Sequence, residues 1–210
     1  MASNYLDELN DIQRQAVTNI DGPVLLVAGP GSGKTRVLTY RIAHIIESGV
    51  PPWEILALTF TNKAAREMKA RISKVVGDRA DRVWAGTFHS IFARILRVEA
   101  EKIGYPPGFT IYDTEDTNSV ISAIIRELNL DKNTYNTSAI RSRISAAKSA
   151  LITPKLYADN EELRQQDRQA ARPYTYEIYE KYVARCKRSG AMDFDDLLYR
   201  LYELFQRNPD

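Results

Sequence analysis

The chain has 210 residues, of which 44% are hydrophobic and 27% charged, a balance typical of a soluble globular protein with its own core. Its 29 lysines and arginines against 27 aspartates and glutamates leave a formal net charge of +2, so nucleic-acid binding would need a local patch. The single cysteine excludes an intrachain disulfide framework, and with only two histidines it argues against a Cys/His zinc site. We expect a cytoplasmic protein of bacterial type without a membrane interaction, because no apolar run reaches a membrane span and residues 1–10 lack the core of a signal peptide.

The first 104 residues alternate between predicted helices and predicted strands. Asn10 is placed to cap a first helix, and the apolar residues 24–28 predict a buried strand after it. Residues 55–60 and 82–87 predict two further buried strands. Asn62 is placed to cap the helix between them, and a helix after the third strand ends at Gly104. This alternation predicts a parallel α/β sheet.

A glycine-rich run, AGPGSGKT, follows the first predicted strand and leads into a helix. This is the context of a phosphate-binding loop, in which backbone N–H groups point at phosphate oxygens and a helix N-terminus adds its positive dipole end. Lys34 is placed to reach the β- and γ-phosphates, and the Thr35 hydroxyl is placed to bind Mg²⁺. The alternative is a glycine-rich turn without a ligand. The motif favours a nucleoside triphosphate, bound by Ala28, Gly29, Pro30, Gly31, Ser32, Gly33, Lys34 and Thr35.

The pattern changes at the breaker cluster YPPG, residues 105–108, which is typical of a domain boundary. From about Asp113 to Ser189 the pattern predicts helices only, at residues 116–128, 138–151 and a long one from Asn160 to Lys187. Asp193 then caps a last helix. We therefore expect an all-helical subdomain at residues 105–189 inserted into an α/β domain formed by residues 1–104 and 190–210.

Phosphate-loop enzymes also hold Mg²⁺ with an acidic residue at the end of an apolar strand. The nearest approach to that pattern is AMDFDD, residues 191–196, which leads into a helix. Its carboxylates are interpreted as first-turn residues favoured by the helix dipole. The chain thus has a predicted triphosphate cradle without an evident acid to complete a metal site.

Five motifs in order resemble the amino-terminal half of the UvrD/Rep/PcrA helicases of superfamily one: LNDIQRQAV (9–17), AGPGSGKT (28–35), TFTNKAA (59–65), GTFHS (86–90) and DFDDLL (193–198). The resemblance covers essentially the whole chain. It implies a RecA-like phosphate-loop NTPase sheet with the inserted helical subdomain, ATP and Mg²⁺ as cofactors, and 3′-to-5′ DNA helicase and translocase activity. It also implies that the metal-binding acids, the arginine fingers and a second motor domain in cis lie beyond residue 210.

The resemblance also gives roles to two residues beside the phosphate loop. Gln13 is similar to the glutamine that recognises adenine in this family, since a carboxamide can pair with adenine N6 and N7. The alternative is a capping box between Asn10 and Gln13. Arg36 is expected to flank the adenine ring, where a guanidinium plane can stack.

Two segments are expected to lie along single-stranded DNA. Phe60 is placed to stack on a base, which requires no particular sequence. The alternative places Phe60 in the core and Asn62 as a plain N-cap. By resemblance the DNA-binding residues are Phe60, Thr61, Asn62, Lys63, Thr87, His89 and Ser90.

A basic cluster at Arg141, Arg143 and Lys148 is interpreted as a solvated helix face, because serine and alanine alternate with it. Expected partners are single-stranded DNA, DNA junctions, and repair or replication proteins. Two other functions remain open at this point. One is a nucleotide-gated DNA-binding module without unwinding, and the other is a phosphate-loop kinase, which would need a second-substrate pocket and lid.

Overall fold

The computed structural model describes residues 5–209. Residue contacts divide the chain into two compact units, one up to Ile91 and one from Phe92 onward, each with its own core. Most of the described residues are helical, and their strands form two separate two-stranded parallel sheets. The predicted α/β class with parallel strands is confirmed in this coarse form.

The first unit packs two helices on a parallel strand pair. Strands β1 and β2 run in register from Leu56 opposite Trp84 to Thr59 opposite Thr87. Apolar residues of α2 and α3 meet the inward residues of both strands in one core cluster, which includes Ile46 of α2. The elements of this unit are α1 (Asp11–Thr18), α2 (Lys34–Glu47), β1 (Leu56–Thr59), α3 (Asn62–Val76), β2 (Trp84–Thr87) and the start of α4 (Phe88–Glu99).

The prediction of a buried strand at residues 24–28 is wrong. This stretch has no strand assignment, and the side chains of Leu25 and Val27 are 89% and 87% exposed. The apolar sequence was correctly recognised, but a strand also needs a hydrogen-bonding neighbour. Within the described residues, β1 pairs only with β2, and neither pairs with this stretch.

The N-cap of α3 is one residue earlier than predicted. Thr61, in extended backbone conformation, accepts a hydrogen bond from the Ala64 N–H at 3.1 Å, so Asn62 is the first helical residue and not the cap. Threonine and asparagine both cap helices well, which is why the pattern TN does not distinguish them. Gly77 ends this helix as predicted.

The second unit is mainly helical, and tyrosines form much of its core. Tyr157, Tyr179 and Tyr182 are each at most 2% exposed. Strands β3 and β4 pair in parallel from Thr110 opposite Ala191. The elements are the rest of α4, β3 (Thr110–Tyr112), α5 (Thr114–Glu127), α6 (Thr137–Ser149), α7 (Pro154–Asp159), α8 (Glu161–Gln169), α9 (Thr175–Arg188), β4 (Ala191–Asp193) and α10 (Phe194–Arg207).

The predicted long helix from Asn160 to Lys187 is wrong, because it is two helices. Helix α8 ends at Gln169, and Ala171 has a left-handed φ of +58°. The Arg172 N–H then bonds back to the Asp167 carbonyl at 2.7 Å, which closes the turn. Pro173 follows, and its missing N–H and fixed φ keep the chain from continuing as helix. None of the described helices has both the length and the apolar character to cross a bilayer.

Candidate nucleotide-binding and DNA-binding residues

The glycine-rich run forms an open loop that ends at the first residue of α2. Gly31 and Gly33 have φ angles of +76° and +84°, a region that L-residues rarely adopt. Helix α2 begins at Lys34, so the loop lies directly at a helix N-terminus. Free N–H groups and the positive dipole end at this position favour an anion.

The Lys34 ammonium folds back over the loop. Its Nζ donates hydrogen bonds to the carbonyl oxygens of Ala28 at 2.7 Å and Gly29 at 3.0 Å. The Ser32 hydroxyl also donates to the Gly29 carbonyl, at 2.6 Å. Lys34 and Thr35 are both exposed, so the ammonium and the Thr35 hydroxyl are accessible to a ligand in this cleft.

The loop lines a cleft of about 620 Å³, which lies within the range of about 300–1,000 Å³ that is usual for small-molecule sites. The side chains around it are amides, hydroxyls and cations, and none of the described lining residues is a carboxylate. This donor set fits a polyphosphate. The lining residues are Asn10, Gln13, Gly29, Gly31, Ser32, Gly33, Lys34, Thr35, Arg36 and Arg71.

Gln13 lies between the helix cap and the loop. Its Oε1 accepts from the Asn10 N–H at 3.2 Å, and its own N–H donates to the Asn10 side chain at 2.9 Å, so the capping box is present. Its Nε2 also donates to the Ser32 carbonyl at 2.9 Å. The cap interpretation therefore does not remove Gln13 from the cleft, and its adenine contact stays a prediction.

Sequence reasoning missed Arg71, which lines the same cleft from α3. Arg71 lies in the middle of an amphipathic helix, on its exposed side, and it belongs to no motif. Only the packing of α3 beside α2 brings Arg71 to the phosphate loop. Arg36, by contrast, lines the cleft as expected, on the first turn of α2.

The first predicted DNA-binding segment is an exposed surface. Phe60 is 90% exposed, so the alternative that places it in the core is wrong. Its ring lies 5.3 Å from the ring of Phe88, centroid to centroid. Asn62 and Lys63 are exposed on the first turn of α3, after the cap formed by Thr61.

In the second predicted DNA-binding segment, two side chains bond to each other. The Ser90 Oγ accepts from the Thr87 N–H at 3.0 Å, and the Thr87 Oγ1 accepts from the Ser90 N–H at 3.2 Å. Thr87 is buried and His89 half-buried, whereas Ser90 is exposed. This reciprocal pair fixes the start of α4, and DNA contact by these residues stays a prediction.

The interpretation of Arg141, Arg143 and Lys148 as a solvated helix face is wrong. Lys148 is 3% exposed, and its Nζ lies 2.7 Å from Asp193 Oδ2 and 2.9 Å from Asp196 Oδ1. The Arg143 Nε donates to the Tyr157 hydroxyl at 2.7 Å, and Arg141 donates to Asn118 at 3.2 Å. The long stems of these residues reach partners across the helical unit, which alternation with alanine and serine does not reveal.

The two carboxylates beside Lys148 differ in their surroundings. Burial would raise the pKa of Asp193, but the attraction of Lys148 and hydrogen bonds from Lys148 and Tyr182 outweigh it and lower the pKa below its ordinary value. Burial raises the pKa of Asp196 against the attraction of Lys148. Both carboxylates form a capping box at the start of α10, so Asp193 caps this helix as predicted.

The geometry is that of a phosphate-binding loop at a helix N-terminus, with an amide and two arginines around the cleft. Residues 9–210 match the model of the UvrD/REP helicase N-terminal domain. The chain therefore belongs to the UvrD/REP helicase family.

Relatives share the name ATP-dependent DNA helicase PcrA. The protein of Bacillus subtilis is 43% identical over 215 residues, covering 100% of this chain and 28% of its own length. That of Leuconostoc citreum is 45% identical over 204 residues, covering 96% and 26%. That of Staphylococcus aureus is 43% identical over 206 residues, covering 98% and 27%. The chain thus spans about a quarter of the length of these relatives and corresponds to their amino-terminal part.

Proposed function

We propose that this chain is the ATP-binding and single-stranded DNA-binding part of an ATP-dependent DNA helicase with 3′-to-5′ polarity. The observation that carries the proposal is the phosphate-loop motif of residues 28–35, whose Lys34 is the first residue of α2, in a chain that matches the UvrD/REP family. The relatives named ATP-dependent DNA helicase support the activity. The polarity rests on the resemblance of the motifs alone.

In the nucleotide cleft, the backbone N–H groups of the loop and the Lys34 ammonium bind the phosphates and stabilise the charge of the transferred phosphoryl group. The Thr35 hydroxyl is the ligand that this loop offers to Mg²⁺, which neutralises phosphate charge when it is bound. Gln13 recognises the adenine edge, and the Arg36 guanidinium stacks on its face. Arg71 adds a second cation to the cleft.

On the DNA side, Phe60 stacks on a base, and its contact with Phe88 holds the ring in place. Thr61, Asn62 and Lys63 at the start of α3 offer polar groups and a charge to the DNA backbone. We assign further contacts with the DNA backbone or bases to Thr87, His89 and Ser90, which lie at the end of β2 and the start of α4.

The same proposal includes the larger architecture. Residues 1–104 and 190–210 belong to a RecA-like motor domain, and residues 105–189 form its inserted helical subdomain. A second motor domain in cis completes the nucleotide cleft, and closure and reopening of that cleft move the protein along DNA. The proposal extends to the surroundings: the protein acts on DNA in the cytoplasm, with DNA junctions and repair or replication proteins as its partners.

Nucleotide binding by the loop is tested by calorimetric titration of the 210-residue chain with Mg-ATP. Lys34→Ala removes the ammonium beside the loop. We expect this change to lower the affinity for ATP at least about tenfold, because a charge-assisted contact to phosphate is lost. Lys69→Ala is the matched control, since Lys69 is exposed on α3 and absent from the cleft lining. Equal affinity for ATP in the parent and Lys34→Ala would show that the assigned role of Lys34 is wrong.

A further inference from the structure

Arg41 connects α2 to the end of α1. Its Nη1 donates hydrogen bonds to the carbonyl oxygens of Ala16, at 2.7 Å, and Asn19. These carbonyls belong to the last turn and C-cap of α1, where backbone acceptors lack partners within the helix. A cation at this end also complements the helix dipole. Arg41 therefore fixes the C-terminal end of α1 on the helix that begins with Lys34.

A second set of contacts fixes the segment before α1. The Tyr40 hydroxyl donates to the Glu8 carboxylate, and the Tyr5 hydroxyl donates to Glu47 Oε2 at 2.6 Å. The rings of Tyr5 and Tyr40 lie 5.3 Å apart. Helix α2 thus contacts the chain on both sides of Gln13, and Arg41 provides the contact on the C-terminal side.

The position of Gln13 leaves little freedom for α1 to move. Gln13 Nε2 lies 2.9 Å from the Ser32 carbonyl, and a Cβ atom added at Gly33 would lie 2.9 Å from the same nitrogen. A shift of α1 by a fraction of this distance therefore changes where the carboxamide points in the cleft. Because α1 has only eight residues, its placement depends on its contacts with α2.

We propose that Arg41 is a positioning residue for nucleotide-base specificity. By holding the end of α1 on α2, it keeps the Gln13 carboxamide where this group can pair with the edge of the adenine ring. This inference rests on the proposed adenine contact of Gln13. Arg41 is not among the residues that line the cleft, so its proposed effect on the base acts through Gln13. Loss of Arg41 reduces the preference for adenine over guanine and leaves phosphate binding intact.

The experiment measures the affinities of the 210-residue chain for ribose-labelled fluorescent ATP and GTP, and for tripolyphosphate, which has no base. Arg41→Met keeps the stem and removes the donors. We expect it to lower the ATP-over-GTP preference at least about threefold, in the direction of Gln13→Ala, because a displaced amide loses its paired contacts to the base. Tripolyphosphate affinity should stay within about twofold of the parent value, because the loop is unchanged.

Two further variants make the result specific. Arg14→Met removes an exposed cation from α1 without touching the two carbonyls, and it should keep the parent preference. Arg41→Lys can reach one carbonyl, and its preference should fall between those of the parent and Arg41→Met. Amide exchange at Asn19, whose N–H bonds to the Gln15 carbonyl at 3.0 Å, should quicken in Arg41→Met while that of α3 does not.

Unchanged preference in Arg41→Met, alongside reduced preference in Gln13→Ala, would overturn the positioning role alone. If Arg41→Met does not fold, an unchanged preference in Arg41→Lys would overturn that role in its place. Unchanged preference in Gln13→Ala would instead contradict the proposed adenine contact, and the positioning role with it.

Discussion

The Phe60 ring is 90% exposed at the end of β1, and it contacts a second aromatic ring at Phe88. An aromatic ring that remains in water and is backed by a neighbour is available to stack on a flat ligand. Its exposure also means that removing the ring leaves no cavity in the core. A loss of DNA affinity on truncation can therefore be assigned to the contact and not to unfolding.

We expect Phe60→Ala to weaken binding of a short oligo-dT by about 1–3 kcal/mol, the usual worth of one base–aromatic stack. Fluorescence anisotropy at two salt concentrations measures this, and affinity should fall with added salt in both proteins because phosphate contacts release counterions. Trp53→Ala removes another exposed aromatic of the same unit and should have little effect. An unchanged affinity in Phe60→Ala would remove Phe60 from the DNA site.

At the scale of elements, Lys148 links α6 to the start of α10 through two buried carboxylates. Lys148→Met should lower the free energy of unfolding by about 3–5 kcal/mol, because it leaves Asp193 without its ammonium partner and Asp196 with Arg200 at the longer distance of 3.8 Å. Urea unfolding followed by circular dichroism measures the change. Lys155→Met, at an exposed position of α7, is the control and should stay within about 0.5 kcal/mol.

Adding Asp193→Asn and Asp196→Asn to Lys148→Met should recover part of that stability, since asparagine still caps the helix and neither side chain is then charged. If Lys148→Met lowers the free energy of unfolding by less than about 1 kcal/mol, the view that Asp193 and Asp196 need Lys148 as a buried counter-ion is wrong.

The helical unit should also lose stability at high pH. Burial raises the pKa of Tyr182 above its ordinary value, raises that of Tyr105 to about 12 and that of Cys186 to about 11. Although burial opposes it, attraction by Asp196 and Asp193 raises the pKa of Lys148. The folded chain then keeps protons that the unfolded chain releases, so stability is present below the unfolded pKa values and falls as the pH rises toward the folded ones.

The pH range over which stability is lost follows from these pKa values. We expect the urea midpoint to be level near pH 8 and to fall from about pH 9–10 upward, where unfolded cysteine and then tyrosine ionise. Tyr182→Phe should make the fall shallower, because one of the contributing groups is removed. Tyr202→Phe, at a position 46% exposed, serves as the comparison. A midpoint that stays constant up to pH 11 would contradict this prediction.

The sequence predicted the elements that short-range patterns determine. Helical spacing placed α2, α3 and α10, and the Asp193 cap placed the start of α10. Gly77 and Gly104 marked the ends of α3 and of the short helical turn Ala100–Ile103 that follows α4. The pattern could not show that residues 24–28 lack a strand partner, because pairing is not a local property. It also missed β3 and β4, since three residues are too few to show a period.

In the candidate nucleotide site, the sequence likewise predicted the residues that belong to a local motif and missed those that do not. The loop, Gln13 and Arg36 were identified because they lie in motifs, and the structure brings them to one cleft. Arg71 and Arg41 were missed because each reaches its site only through the packing of two helices. Residue spacing in the sequence does not indicate which helices pack together. Likewise, Lys148 was assigned to the solvent, because a lysine 45 positions from its carboxylate partner has no local signal.

At the scale of the whole molecule, the charge balance is nearly neutral, but its distribution is not uniform. The described lining of the nucleotide cleft carries Lys34, Arg36 and Arg71 without a carboxylate. The charge of such a cleft is complementary to that of a polyphosphate. Hydrolysis needs more, since a water molecule must be oriented and the metal must be held by further groups.

We therefore expect the 210-residue chain to bind ATP with almost no turnover. Thr35 is the metal ligand that we propose for the loop, and an arginine finger, which contributes about 10³–10⁵ in rate where present, is expected from a second motor domain. Single-turnover hydrolysis should stay near background with and without oligo-dT. A chimera that joins this chain to the remainder of the Bacillus subtilis relative should gain DNA-stimulated hydrolysis, and Lys34→Ala should abolish that gain. Robust DNA-stimulated turnover by the 210 residues alone, lost in Lys34→Ala, would falsify the view that this cleft needs a second domain.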